Sequence, residues 1–85
     1  MTNPTFTFDD VYTRKVGGER YRYRLDYNAG AQVTWKAIVY RVGDDDIKGT
    51  PSGQIDDNLL EGDALRQQLV SLVEITIENM AGIAE

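Results

Sequence analysis

Arg20, Arg22 and Arg24 stand two residues apart, and the positions between and after them hold Tyr21, Tyr23, Leu25 and Tyr27. Successive side chains of a strand point to opposite faces, so this alternation makes one wet, positively charged face and one buried, oily face. The chemistry on offer is attraction of an anion. In the strand pattern developed below, Lys15, Lys36 and Tyr40 join that face. Lys15, Arg20, Arg22, Arg24, Lys36 and Tyr40 are therefore the candidate contacts for an acidic protein surface or for single-stranded nucleic acid, with Tyr40 as a stacking platform.

Catalysis has little to work with. The chain has no cysteine and no histidine, which removes the usual zinc ligands, the Cys/His and Ser/His nucleophile systems, and the side chain whose ordinary pKa lies near neutrality. Neither paired carboxylates nor an activated nucleophile can be placed together from sequence, so no enzyme, no catalytic residue, no cofactor and no metal site is expected. Asp44, Asp45 and Asp46 ahead of Gly49 invite a calcium-loop reading. It fails because Lys48 occupies a ligand position and Ile55 stands where a closing glutamate belongs. The Gly49 to Gly53 stretch lacks the Gly-Lys-Ser/Thr ending of a phosphate-cradling loop.

Two connections set the strands that carry the charged face. Gly17-Gly18 is a two-residue hairpin signal, because both positions tolerate the positive φ of a primed turn. It predicts Val16 opposite Glu19, Tyr12 opposite Tyr23 and Phe8 opposite Tyr27. Asn28-Ala29-Gly30 reads as a three-residue loop with Gly30 left-handed, which sets Leu25 opposite Val33, Tyr23 opposite Trp35 and Tyr21 opposite Ala37. A four-residue loop would oppose Tyr23 to Lys36 and mix the faces, so burial favours the shorter one. The strands then run over about 5–16, 19–27 and 32–42, with a possible short strand within 46–55. Odd-numbered positions from Tyr21 to Val39 are expected inside and their even-numbered neighbours hydrated.

In that register Arg22 faces Lys36 and Lys15 faces Arg20, like-charge pairs that oppose folding by a few tenths to about 1 kcal/mol each. Either an anionic partner compensates, or Asp44–Asp46 or Asp56–Asp57 folds back against the sheet. The charge is divided to suit both. Residues 1–42 hold seven basic and four acidic groups, residues 43–85 two basic and ten acidic.

After Asp56, Asp57 and Asp63, all plausible N-caps, Leu65, Leu69, Leu72, Val73, Thr76 and Met80 recur at helical spacing toward a terminating Gly82. The pattern predicts one helix over about 63–81. A rival reading makes residues 72–78 a strand, since Val73 to Glu78 alternates and is β-branched. The helix is preferred because its period continues without a turn signal. Its apolar arc, widened by Val70, Ile75 and Ile77, exceeds the narrow stripe a helix needs on one sheet, which points to a homodimer with Val70, Val73, Ile77 and Met80 at the interface.

Eighty-five residues make a single domain with one thin core. The fold class is α+β: an antiparallel three- to four-stranded meander covered on one face by a long C-terminal helix, in ββββα order. That order resembles, in topology alone, the small dimeric single-stranded-nucleic-acid-binding modules of the Pur-repeat type. No apolar run is long enough for a membrane span, and the start lacks the pattern of a secretory signal, so the expected location is cytoplasmic. The expected function is that of a small non-enzymatic interaction protein, a homodimer presenting a charged sheet face to a macromolecular partner. The alternative is a single-stranded nucleic-acid-binding module using the same face.

Overall fold

In the computed structural model, which describes residues 5–44 and 46–84, the alternating segments pair as antiparallel strands. The elements run β1 (Thr5–Thr13), β2 (Arg20–Asn28), β3 (Val33–Arg41), β4 (Ile47–Gly49), β5 (Ser52–Ile55) and α1 (Gly62–Glu78). The sheet order is β1-β2-β3, and β4 and β5 both lie against the far side of β3. They form one edge bent at Thr50-Pro51, where the Pro51 carbonyl accepts from the Ala37 N–H at 2.8 Å and keeps the ladder continuous. Proline has no N–H to offer a ladder, so an edge is where it can sit. The fold is α+β with strands first and one helix last.

The parity of the strands holds. Tyr21, Tyr23, Leu25 and Tyr27 of β2 and Val33, Trp35, Ala37 and Val39 of β3 are buried. The helix meets them with Leu65, Leu69, Val73 and Ile77, every fourth residue and therefore one stripe. Residues 73–78 are helical and not a sixth strand. Ile83, beyond the helix, closes the core at the β4 end: it is buried, and the Ala84 N–H donates to the Lys48 carbonyl at 2.7 Å.

The registers differ from those expected, and in both hairpins by an even number of residues. In β1–β2 the pairs are Tyr12↔Tyr21, Phe8↔Leu25 and Phe6↔Tyr27. Gly17 and Gly18 do take positive φ, but Lys15 and Val16 leave the ladder because their N–H groups donate to the Glu78 carboxylate at 2.8 and 3.4 Å. In β2–β3 the pairs are Leu25↔Ala37, Tyr23↔Val39 and Tyr21↔Arg41. There the Asn28 carboxamide bridges a longer loop, its oxygen accepting from the Thr34 N–H at 2.7 Å and its nitrogen donating to the Gln32 carbonyl at 3.0 Å. An even slip keeps every side chain on its face while changing its neighbours.

None of the three candidate aspartates caps the helix; the N-cap is Glu61, with Asp63 inside the first turn and ion-paired to Arg66 at 3.0 Å. The helix stops at Glu78, short of residue 81. Two backbone bonds close it, Ala81 N–H to the Thr76 carbonyl and Met80 N–H to the Ile77 carbonyl, both 3.0 Å. These bonds define a Schellman end, and Met80 occupies the left-handed position at φ 53° that glycine usually fills.

Candidate anion-binding face

Side chains directly opposite in an antiparallel pair share a face, so the registers lay out the uncovered side of the sheet in rows. One row runs Val11, Arg22, Tyr40, Ile47; the next runs Asp9, Arg24, Ile38. Arg20 stands beyond Arg22 at the end of β2, with Val42 alongside, its N–H donating to the Arg20 carbonyl at 3.0 Å. Two adjoining clefts of about 320 and 310 Å³ share Arg22 and Tyr40; Arg20, Arg41, Val11, Val42 and Asp44 line the first, and Asp9 and Arg24 the second. The Arg22 guanidinium lies 5.3 Å over the Tyr40 ring, a cation–π contact that holds both groups against the sheet.

Of the six candidate contacts, the fold brings four together: Arg20, Arg22, Arg24 and Tyr40. Lys36 shares the face but stands at its other end opposite Asp26, in a depression of about 610 Å³ with Asn28, Thr34 and Gln54. Lys15 is in the β1–β2 turn on the helix side, beside Tyr12 and Glu78. The expected like-charge pairs do not form. Arg22 faces Tyr40, Lys36 faces Asp26, and Arg24 lies between Asp9 and Ile38 with an ion pair to Asp26 at 3.6 Å. Arg41, which lines the cleft from the end of β3, escaped the sequence because strict parity assigns it to the buried side. Its signal was the nearby Gly43, which ends the strand and frees the last residues to turn outward.

Of the acidic residues expected to neutralise this face, Asp44 lines the first cleft with Arg41 but forms its ion pair with another residue, and Asp56 is bonded away from it. Asp44 pairs with Lys48 at 3.1 Å; the Asp46 N–H and then Lys48 hold its carboxyl below the ordinary range. Asp56 accepts from the side-chain amides of Gln54 and Gln32, which lower it likewise. Asp45 lies outside the described residues. Among the described residues, Arg14, Arg24, Lys48 and Arg66 form ion pairs, and Arg20 and Arg22 form none.

A second polar cluster ties the helix end to the first hairpin. The Lys15 N–H and the Tyr12 hydroxyl donate to the Glu78 carboxylate, which pulls its pKa down and pushes that of Tyr12 up. Arg14 donates to the Glu78 carbonyl at 3.1 and 3.2 Å and to Glu19 at 3.2 Å. Nearby, the Tyr23 hydroxyl reaches Glu74 at 3.1 Å; burial, then Glu74 and Asp10, raise its pKa strongly. This cluster is structural in what it does: it fixes the hairpin and the helix terminus against each other.

The four helix residues expected at a dimer interface are placed differently from one another. Val73 and Ile77 are fully buried against the sheet, and Val70 and Met80 pack partly buried on its rim. A partner cannot reach Val73 and Ile77 without displacing the helix. The exposed large apolar side chain of α1 is Ile75, 58% accessible. No protein-family model, curated protein or solved structure matches this chain. No helix among the described residues is long and apolar enough to cross a membrane.

Proposed function

We propose that this chain is a small non-enzymatic interaction protein whose uncovered sheet face, centred on Arg20, Arg22, Arg24 and Tyr40, takes an acidic segment of a partner protein. One observation carries this: Arg20 and Arg22 form no ion pair among the described residues, and they line a cleft together with apolar surface, with Asp44, itself paired to Lys48, also in its lining. Val11, Val42 and Ile47 are 38, 44 and 55% exposed beside them. Arginine and aromatic groups among exposed apolar side chains are the composition of protein interfaces. The net charge of −5 repels any extended polyanion at long range, peptide or nucleic acid, so the face suits a short acidic segment held by contact.

A second reading, single-stranded nucleic acid, is favoured by the Arg22–Tyr40 pair, since bases stack on guanidinium planes and on tyrosine. Anisotropy titrations with a labelled poly-glutamate peptide and a labelled oligothymidine separate the two. The primary reading expects peptide binding that Arg20→Ser/Arg22→Ser abolishes. Oligonucleotide binding whose logarithm falls linearly with the logarithm of salt supports the second. No binding of either at low salt removes both.

We further propose a cytoplasmic homodimer, joined through the part of α1 that Ile75 marks, with Val70 and Met80 at its margin. Sedimentation equilibrium is the test, and a monomer at high micromolar concentration refutes it.

A further inference from the structure

The other edge of the sheet carries an inference independent of the arginine face. β1 pairs with β2 over nine residues in one unbroken register, Thr5↔Asn28 to Thr13↔Arg20, and pairs with nothing on its other side among the described residues. Bonded pairs alternate in an antiparallel ladder, and the Arg14 N–H to Glu19 carbonyl bond at 2.8 Å fixes the phase. Tyr12, Asp10, Phe8 and Phe6 therefore exchange bonds with β2. Thr7, Asp9 and Val11 turn their N–H and C=O groups to the open side.

Open edges are ordinarily blunted by proline, lysine, a bulge or shortness. The stretch Thr5–Thr13 has neither proline nor lysine, and its register is without a bulge. What it has is Asp9 and Asp10 at its middle. The Asp10 carboxylate accepts from the Val11 N–H at 2.7 Å, which caps one of the open donors from within the strand. Behind it, on the helix side, Glu74 approaches through its bond from Tyr23, whose hydroxyl also feels Asp10. A second copy of β1 laid antiparallel with apolar faces matched sets aspartate against or beside aspartate, which opposes pairing.

We propose that β1 is a docking edge for an extended, basic segment of another protein, which adds as a sixth strand and sets a lysine or arginine against Asp10. On docking, the Val11 N–H turns from the Asp10 carboxylate to a carbonyl of the incoming strand, and the carboxylate turns to the incoming cation. Main-chain bonds at Thr7, Asp9 and Val11 supply the affinity, and the two aspartates select a basic strand and reject the chain's own β1.

The probe is a capped nine-residue peptide of alternating threonine and lysine, titrated into the full chain labelled with nitrogen-15. The expected result is saturable shifts and slowed hydrogen exchange at the amides of Thr7, Asp9 and Val11, with much smaller changes at Phe8 and Tyr12. The same peptide with glutamate for lysine binds at least tenfold more weakly, as does the lysine peptide to Asp9→Asn/Asp10→Asn with its fold checked by circular dichroism. Equal binding by a peptide N-methylated on alternate amides overturns the proposal, because strand addition needs those donors. So does the absence of any shift at millimolar peptide, shifts confined to the Arg20–Arg22–Tyr40 face, or concentration-dependent self-association of the unmodified chain through β1. Loss of polyanion binding at the arginine face leaves all of these outcomes unchanged.

Discussion

The two edges of the sheet are finished by different physics. On the β4–β5 side the strand is short, bent by Pro51, and roofed by the segment after the helix, with Ile83 buried and Ala84 bonded to the Lys48 carbonyl. On the β1 side nine residues run straight; Phe6 remains 44% exposed, and charge at Asp9 and Asp10 is the main barrier to further pairing. Packing closes an edge to every partner, whereas charge closes it only to partners of the same sign. The first edge should therefore respond to mutation as core and the second as surface.

The sharpest way to break that contrast is to truncate one apolar residue on each side. Ile83→Ala should cost about 2–4 kcal/mol, as a buried aliphatic truncation does. Phe6→Ala should cost about 1 kcal/mol, the scale of its stacking on Tyr27, whose centroid lies 5.5 Å away. Urea unfolding of the two variants measures both, and equal losses would end the distinction. A second test stays on the covered edge. A Cβ on Gly53 would sit 2.9 Å from the indole nitrogen of Trp35 and 3.0 Å from two of its ring carbons. Trp35 is buried and cannot swing clear, so Gly53→Val should cost about 1–3 kcal/mol, the usual range for overpacking. A stability within a few tenths of wild type would mean that this edge yields like the other.

Parity was legible in the sequence and register was not, for a physical reason. The core needs only that Tyr21, Tyr23, Leu25 and Tyr27 share a side with Val33, Trp35, Ala37 and Val39, and every even slip satisfies it. What chose among the slips lies outside the strands' own pattern: Glu78, far along the chain, takes the N–H groups of Lys15 and Val16, and Asn28 folds its carboxamide into the next loop. One clue to the second was available. Opposing Arg22 to Lys36 costs energy, and moving the register by four residues exchanges that clash for Asp26↔Lys36 and Arg22↔Tyr40. The arginine cluster was legible because it follows from parity within one strand, and Lys15 and Lys36 were misplaced because their positions depend on register. Ile83 was missed because a lone isoleucine after a terminating glycine carries no period. Asn28→Ala, which removes the loop's bridge, should cost about 1 kcal/mol, the net worth of a typical hydrogen bond.

Acid should loosen the open side in a way that one residue controls. Glu78 has its pKa held below the ordinary 4.5 by bonds from Lys15 and Tyr12, so the folded state binds fewer protons than the unfolded one in that range. The stability it contributes is present above pH 4.5 and is lost as the pH falls through the folded value. The thermal midpoint of Glu78→Gln should be lower at neutral pH and fall less steeply below pH 4.5, with residual slope from Asp44 and Asp56. At the other extreme Tyr12 is raised above 10, so its contribution is present below pH 10 and lost above it. Tyr12→Phe should flatten part of the alkaline decline, with residual slope from Tyr23.

The smallest expected change tests how the roof over β4 is held. Met80 begins the return of the chain that carries Ile83 to the core, and it does so at φ 53°, where a side chain is strained and glycine is not. Met80→Gly relieves that strain, worth about 1 kcal/mol for a residue leaving the left-handed region. It also removes a half-buried side chain packed against the core cluster, a loss of similar size, about 1 kcal/mol at partial burial. The two should nearly cancel, leaving unfolding free energy within about 0.5 kcal/mol of wild type. Met80→Ala keeps the strain and loses the packing, so it should be the less stable of the pair by about 1 kcal/mol. If the order reverses, the left-handed turn at residue 80 carries no strain for a side chain, and the loss common to both variants measures what the methionine's packing contributes.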